Sequence, residues 1–251
     1  MPENGPSGKM NLEQRLRDVL ARVRAAELRY GRAAGSVQLL PVSKTRSAEE
    51  IAALAELALA GVGSAFAENY VQEALDKIAA LAGRGLEWHF IGPLQSNKTA
   101  SIAQHFAWVH SVDRLKIAQR LNDQRPPGLP PLNVCLQLNV SGEASKSGLA
   151  CDELPDLAAQ VVQLPQLRLR GLMAIPAAST DPAVQRAAFR AVREAFQRLE
   201  ASPPGAGEAW RYWDTLSMGM SGDLEMAIAE GATIVRVGTD IFGPRRPYNA
   251  T

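Results

Sequence analysis

Two cysteines, Cys135 and Cys151, and three histidines are too few for a disulfide framework or a convincing zinc site. A reducing cytoplasm is the setting that this cysteine usage predicts. No apolar run reaches the roughly 18 residues that a membrane span requires, and the opening MPENGPSGKM lacks the apolar core of a secretion signal. Charge of one sign is also missing. The 27 basic and 26 acidic residues leave a formal net charge of +1, which supplies no general field for nucleic acid or an anionic membrane. Lysine is scarce, at six of the 27 basic residues, so a lysine in an unusual place stands out. What remains is an ordinary globular composition: 251 residues, 46% hydrophobic and 21% charged, enough to bury a substantial core.

Residues 1–9 are rich in Pro, Gly and Ser and read as a flexible tail. From Asn11, a candidate N-cap, Leu12, Leu16, Val19, Leu20, Val23 and Tyr30 recur at helical spacing up to a stop at Gly31. The chain then alternates. Short apolar runs at 37–43, 62–66, 86–91, 107–110, 132–140, 167–175, 211–216 and 233–237 read as strands. Helical patterns lie between them at 47–60, 69–82, 97–105, 113–123, 152–163, 181–200 and 221–230. That order and this length suit a single-domain (β/α)8 TIM barrel over residues 10–247, with an extra N-terminal helix and a short tail at 248–251. A doubly wound open sheet fits the same alternation, because periodicity does not report closure.

In a parallel barrel the chemistry sits where strands end. Strand one runs into Ser43-Lys44, strand two into Glu68-Asn69-Tyr70, strand four into His110-Ser111 and strand seven into SMGMSG at 217–222. Strand eight carries Arg236 and ends in Gly238-Thr239. Loops after strands seven and eight are a frequent phosphate site of such barrels. Glycine-flanked backbone beside Ser217 and Ser221 suits an anion; a serine cap and a plain turn suit the same residues. A lysine leaving an apolar barrel floor favours its neutral, nucleophilic amine, against the alternative of an exposed lysine at a strand exit. Taken with a phosphate site, Lys44 points to pyridoxal 5′-phosphate (PLP), which carries both an aldehyde and a phosphate. Arg236 interrupts an apolar strand and needs an acceptor: either a carboxylate such as Asp214 or the cofactor's ring nitrogen. At that nitrogen an arginine, which accepts no proton, would make the ring a weak electron sink. His89 reads either as a pocket group or as a satisfied core histidine. Asn69 reads as a ring contact or an N-cap, and Met173 as packing below the ring or within the core. Lys98 and Lys146 lie in loops on the same face, as an entry site for a phosphorylated ligand or as solvated surface. Cys135 reads as buried and inert.

Segments spread over the chain, from about Leu12 to Pro247, resemble the YggS/PROSC family of pyridoxal-phosphate homeostasis proteins. The carrying segments are PVSKT at 41–45, AENYVQE at 67–73, WHFIGPLQSNK at 88–98 and LNVSGEASKSG at 138–148. RGLMAIP at 170–176, LSMGMSGD at 216–223 and VRVGTDIFG at 235–243 complete them. Ala67 departs from the glycine usual before Glu-Asn-Tyr. The resemblance implies a barrel like the N-terminal domain of alanine racemase and PLP held as a covalent aldimine on Lys44. It also implies Arg236 at the ring nitrogen, Asn69 near the ring, and Ser217, Met218, Gly238 and Thr239 on the phosphate with Ser221 close by. His89 and Met173 complete the expected cofactor environment. The implied role is non-catalytic storage, buffering or delivery of PLP, with PLP-dependent apo-enzymes as partners.

An amino-acid racemase is the competing function, and a barrel for another phosphorylated metabolite is the third. Racemisation needs a base on each face of the α-carbon. Lys44 serves one. About 14 residues follow strand eight, too few for the second domain that supplies the other base in related racemases, and Tyr70 and Tyr248 are the remaining candidates. No metal, nucleic-acid or membrane partner is expected, and the short tails suggest a monomer.

Overall fold

The computed structural model describes residues 7–57, 62–140, 147–204 and 208–244. Eight strands follow in chain order: β1 Gln38–Pro41, β2 Ala65–Glu68, β3 Glu87–Phe90, β4 Trp108–Val112, β5 Leu132–Leu138, β6 Leu167–Ala174, β7 Thr215–Ser217 and β8 Ile234–Val237. Every neighbouring pair is parallel, in the order β1-β8-β7-β6-β5-β4-β3-β2. The two ends of that order meet. Val42 bridges to Ala67, and the Ser43 N–H donates to the Ala67 carbonyl at 3.0 Å. The sheet is therefore a closed barrel, and the open doubly wound alternative is excluded.

The helices are α1 Ser7–Arg29, α2 Ala48–Leu57, α3 Val71–Ala80, α4 Thr99–His105, α5 Leu115–Asp123, α6 Leu154–Val161, α7 Pro182–Ala201, α8 Leu224–Ala229 and α9 Thr239–Phe242. Along α1, Leu16, Val19, Leu20, Val23 and Ala26 are buried every third or fourth residue, facing α8 and α9. Each large aliphatic side chain buried in this way contributes about 1.5–3 kcal/mol relative to exposure. The helix starts at Ser7, ahead of Asn11, so residues 7–9 are helical rather than part of a loose tail. No proline lies between Pro6 and Pro41 to prevent the extension. In α7 the Asp181 carboxylate accepts the Ala183 N–H at 2.8 Å and Pro182 occupies the first turn, a start legible in the sequence.

Two strands lie away from their expected positions. The run 62–66 begins in a turn, because Gly63 has φ +104° and its Cα packs where a side chain would meet the Leu54 carbonyl at 3.0 Å. Pairing starts only at Ala65. The aromatic run 211–216 starts not as strand but as the end of a 3₁₀ turn, Glu208–Tyr212. Trp213 stacks on Phe196 of α7 at 4.8 Å and donates its indole N–H to the Phe196 carbonyl, which pulls this segment off the barrel until Thr215.

The main core lies between the strands and the helices, with Phe66, Phe90, Phe106 and Phe189 fully buried. A second, smaller filling comes from alternate strand positions. Leu40, Val42, Ala65, Ala67, Ile91 and Ile234 form one cluster, and Trp108, Cys135 and Met173 form another. Burial pushes the Cys135 thiol up to about 12, so this cysteine is chemically quiet. No described helix is long and apolar enough to cross a membrane.

Glu230, fully buried at the end of α8, is the anchor between α7 and α8. Arg186, Arg190 and Arg193 on one face of α7 reach it at 2.5, 3.2 and 2.5 Å. Burial works to raise this carboxyl, but hydrogen bonds from Arg186 and Arg190 and the charge of Arg193 outweigh it and hold it below the ordinary carboxylate range. A depressed folded-state value contributes stability that is present above the unfolded value and is lost as pH falls through the folded one. Glu230→Gln is expected to cost about 1–2 kcal/mol at neutral pH, the arginines being half-exposed. Urea unfolding should show that gap closing as the pH drops below the ordinary glutamate range.

Candidate functional site

A cavity of about 300 Å³ opens at the C-terminal ends of the strands, the lower limit of about 300–1,000 Å³ for small-molecule sites. Lys44, Asn69, Ser221, Arg236, Gly238 and Thr239, six of the residues singled out in the sequence, all line it. Ile91, Ile175 and Met220 form its apolar part.

Lys44 follows β1 at the closure of the barrel, and its neighbours on both sides are clamped. The Lys77 ammonium on α3 donates to the Ser43 carbonyl and Glu68 Oε1 at 2.7 Å each, and to Glu73 Oε1 at 2.5 Å. Those three acceptors use all three donors of the ammonium. The Ser43 hydroxyl donates to Glu68 Oε1 at 2.6 Å, and the Thr45 N–H donates to Glu73 Oε1 at 2.5 Å. Thr45 has φ +62°, a left-handed conformation costly for a β-branched residue, so the turn that presents Lys44 is imposed by this cluster. Burial raises the Glu68 carboxyl above its ordinary range against the pull of Lys77.

Asn69 is not the N-cap of α3. Tyr70 takes that position, with no side-chain cap bond. The Asn69 side chain instead lines the cavity, and its Oδ1 is buried without a hydrogen-bond partner among the described residues.

Across the cavity, Arg22 of α1 fixes the 217–222 loop and α9. It donates to the Ser221 carbonyl at 2.8 Å and pairs with Glu225 at 2.8 Å and Asp240 at 2.7 Å. The Asp223 carboxylate accepts the Met220 N–H at 2.6 Å and closes the turn. At Gly238 a side chain would come within 3.0 Å of the Val42 carbonyl, so bare backbone faces the cavity there.

Arg236 does not pair with Asp214, which is taken by Arg170 at 2.6 Å. Its Nη1 donates to the carbonyl and hydroxyl of Ser217, at 2.5 and 2.7 Å, and its Nη2 to the Ala174 carbonyl at 3.0 Å. Those bonds occupy three of the five guanidinium N–H donors. Nε and one Nη2 N–H are left for the cavity among the described residues.

The other four predicted residues are buried and do not form part of the cavity wall. Ser217 is buried with its hydroxyl engaged by Arg236 and by His110 Nδ1 at 2.7 Å. Met218 is buried, and its N–H donates to Ile234 in the β7–β8 ladder at 3.1 Å. The loop therefore presents Met220–Gly222 to the cavity, two to five residues further on than the expected phosphate contacts at 217 and 218. His89 is buried and hydrogen-bonded on both ring nitrogens. Met173 packs against Trp108 and Cys135. Lys98 sits in the short 3₁₀ turn before α4, away from the cavity wall, while Lys146 and Tyr248 lie outside the described residues. Sequence reading missed Lys77, although the scarcity of lysine that marked Lys44 applied equally to it. Arg46, also on the wall, was missed with no signal to find it; its Nη2 donates to the Pro244 carbonyl at 2.8 Å.

A protein-family profile described as "Alanine racemase, N-terminal domain" matches residues 20–246. The chain is 58% identical over 234 residues to the Pyridoxal phosphate homeostasis protein of Pseudomonas aeruginosa, covering 93% of this chain and 96% of that one. It belongs to that family. The homologue of Escherichia coli K12 is 51% identical over 238 residues, covering 94% of this chain and 97% of that one. Among solved structures, PipY of Synechococcus elongatus with PLP bound has a TM-score of 0.71 at 38% identity, covering 88% of this chain and 99% of PipY. Family membership thus agrees with the resemblance read from the motifs, and the alanine racemase N-terminal fold with the barrel.

Proposed function

We propose that this chain binds PLP in the cavity at the strand ends and acts in cytoplasmic PLP homeostasis, by storage, buffering or delivery. One observation carries the reading. An amine, a buried unpaired amide oxygen, a two-donor guanidinium and two backbone loops converge on one small cavity. PLP has a matching group for each. Lys44 would hold its aldehyde as a Schiff base. Arg236 would face its ring nitrogen with donors only, Asn69 would lie beside the ring, and Ser221–Gly222 with Gly238–Thr239 would bind the phosphate. When bound, PLP supplies an electron sink. A donor-only partner leaves the ring nitrogen unprotonated and that sink weak, which favours holding the cofactor over chemistry on it. PLP-dependent apo-enzymes are the matching partners of a carrier, and the chain is proposed to act as a monomer.

The test is an absorbance spectrum of purified protein with added PLP, before and after borohydride, for wild type and Lys44→Ala. A visible imine band in the wild type, removed by reduction and absent from the variant, is the expected result. No band in the wild type would overturn the assignment. Loaded protein is further expected not to exchange the α-proton of common amino acids into deuterated water; exchange there would restore the racemase reading.

A further inference from the structure

Five polar side chains form one unbroken path through an otherwise apolar barrel. Glu87 Oε1 lies 2.9 Å from His89 Nε2, His89 Nδ1 lies 2.9 Å from His110 Nε2, and His110 Nδ1 lies 2.7 Å from the Ser217 hydroxyl. That hydroxyl lies 2.7 Å from Arg236 Nη1. Both imidazoles are fully buried, and His89 stacks on Trp108 at 5.3 Å with the rings 6° from parallel. Glu87, at the start of β3, is the half-exposed end, with the Arg170 charge close by.

The two ends, with the neutrality of the buried rings, set the direction of every bond between them. A guanidinium donates and never accepts; a carboxylate accepts and does not donate. Arg236 therefore donates to Ser217, and His89 gives its Nε2–H to Glu87. Each fully buried imidazole is neutral and carries one proton, so His89 has a bare Nδ1. His110 then gives its Nε2–H to His89 and accepts the Ser217 hydroxyl proton on its own bare Nδ1. No buried donor or acceptor on the path is wasted. Burial also pushes both histidines below their ordinary range, in agreement with the neutral forms.

We propose that Glu87, His89, His110 and Ser217 are positioning residues. They form a directed hydrogen-bond chain that holds both imidazoles neutral in the Nε2–H form and locks the Arg236 guanidinium in the orientation that leaves its spare donors to the cavity. The part that concerns a ring nitrogen rests on the PLP reading; the chain itself does not.

The experiment starts on the protein without cofactor, labelled with nitrogen-15. His89 and His110 are each expected to show a protonated Nε2 and a bare Nδ1, unchanged over the pH range in which a solvent-exposed imidazole gains its second proton. A charged ring, or a proton on either Nδ1, would overturn the chain. In the same samples the Arg236 guanidinium should be rigid in wild type, assigned by its loss in Arg236→Lys. It should become mobile in His110→Leu and recover in His110→Asn, whose side-chain oxygen can replace Nδ1 as the acceptor for Ser217. An Arg236 as rigid in a folded His110→Leu as in wild type sinks the positioning role, and should that variant not fold, Ser217→Ala gives the same reading of Arg236. The PLP reading is then separated by binding PLP and its analogue with carbon in place of the ring nitrogen. His110→Leu should weaken PLP by about tenfold, the order of one charge-assisted hydrogen bond, and leave the analogue unaffected. Equal weakening of both would leave Arg236 without a role at the ring nitrogen. Failure of wild type to bind PLP would sink the cofactor reading while the chain stood or fell on the nitrogen-15 data.

Discussion

Replacing Lys77 with methionine is expected to remove about 3–5 kcal/mol of unfolding free energy, the loss typical when one partner of a buried ion pair is deleted. Lys77 and Glu68 are both buried, and the methionine would leave the Glu68 carboxylate without its counter-charge and the Ser43 carbonyl without its donor. Glu73 would keep the Thr45 N–H but lose the ammonium that it shares with Glu68. The consequence should extend beyond stability. Thr45 sits in a left-handed conformation that costs about 1–3 kcal/mol for a residue with a side chain. With the cluster cut, the Ser43–Thr45 turn is free to relax, and Lys44 moves with it. Chemical denaturation measures the first effect, and the imine absorbance at limiting PLP measures the second. Adding Glu68→Gln to Lys77→Met is expected to recover part of the stability, because the orphaned charge is then gone, but not the position of Lys44. Full recovery of both would show that the cluster does nothing for the turn.

The second large effect concerns the wall of the barrel. Gly171 of β6 lies between Cys135 of β5 and Thr215 of β7, next to the register shift at Val134/Cys135. A Cβ there would stand 1.9 Å from the Thr215 carbonyl oxygen, with φ at +152°. Backbone cannot swing aside as a flexible side chain can, so Gly171→Ala must part β6 from β7 or shift the register between them. The cost is expected to exceed about 4 kcal/mol, in the range reserved for severe steric disruption. Soluble yield and thermal midpoint are the readouts. Gly222→Ala is the control: nothing lies within 4 Å of its Cβ position, and its stability should stay within about 0.5 kcal/mol of wild type. A Gly171→Ala protein as stable as that control would mean that the β6–β7 seam is more yielding than this contact implies.

Properties that belong to one residue or one short segment are legible in the amino-acid order alone. Apolar spacing marks α7 to within a residue at each end, the Asp181-Pro182 start included, and α1 apart from its first turn, and alternation places most of the strands. Sequential position at strand ends groups Lys44, Asn69, Ser221, Arg236, Gly238 and Thr239, and all six reach one cavity. Parallel strands carry their last residues to the same rim, so order along the chain is enough to predict that kind of convergence. The misplaced elements have local causes that periodicity does not see. An aromatic run that reads as strand turns towards α7 because Trp213 finds Phe196, and Gly63 delays β2.

Properties that depend on pairs of residues came only with the packed barrel. Closure rests on the Val42–Ala67 bridge between strands at opposite ends of the hydrogen-bonded order, and an amphipathic pattern is the same whether or not those ends meet. Asn69 suited a helix cap as well as a cavity until Tyr70 took the cap. His89 and His110, read separately, are two core histidines; the parallel register of β3, β4, β7 and β8 makes them consecutive links to Arg236. Lys77 looks like any charged helix residue until α3 turns it inward against Glu68. Composition and spacing determined which chemical groups this protein has and which end of the barrel receives them. The packing of one strand against the next decided which of those groups face the cavity and which hold the others in place, because a buried polar atom must find its partner across the fold rather than along the chain.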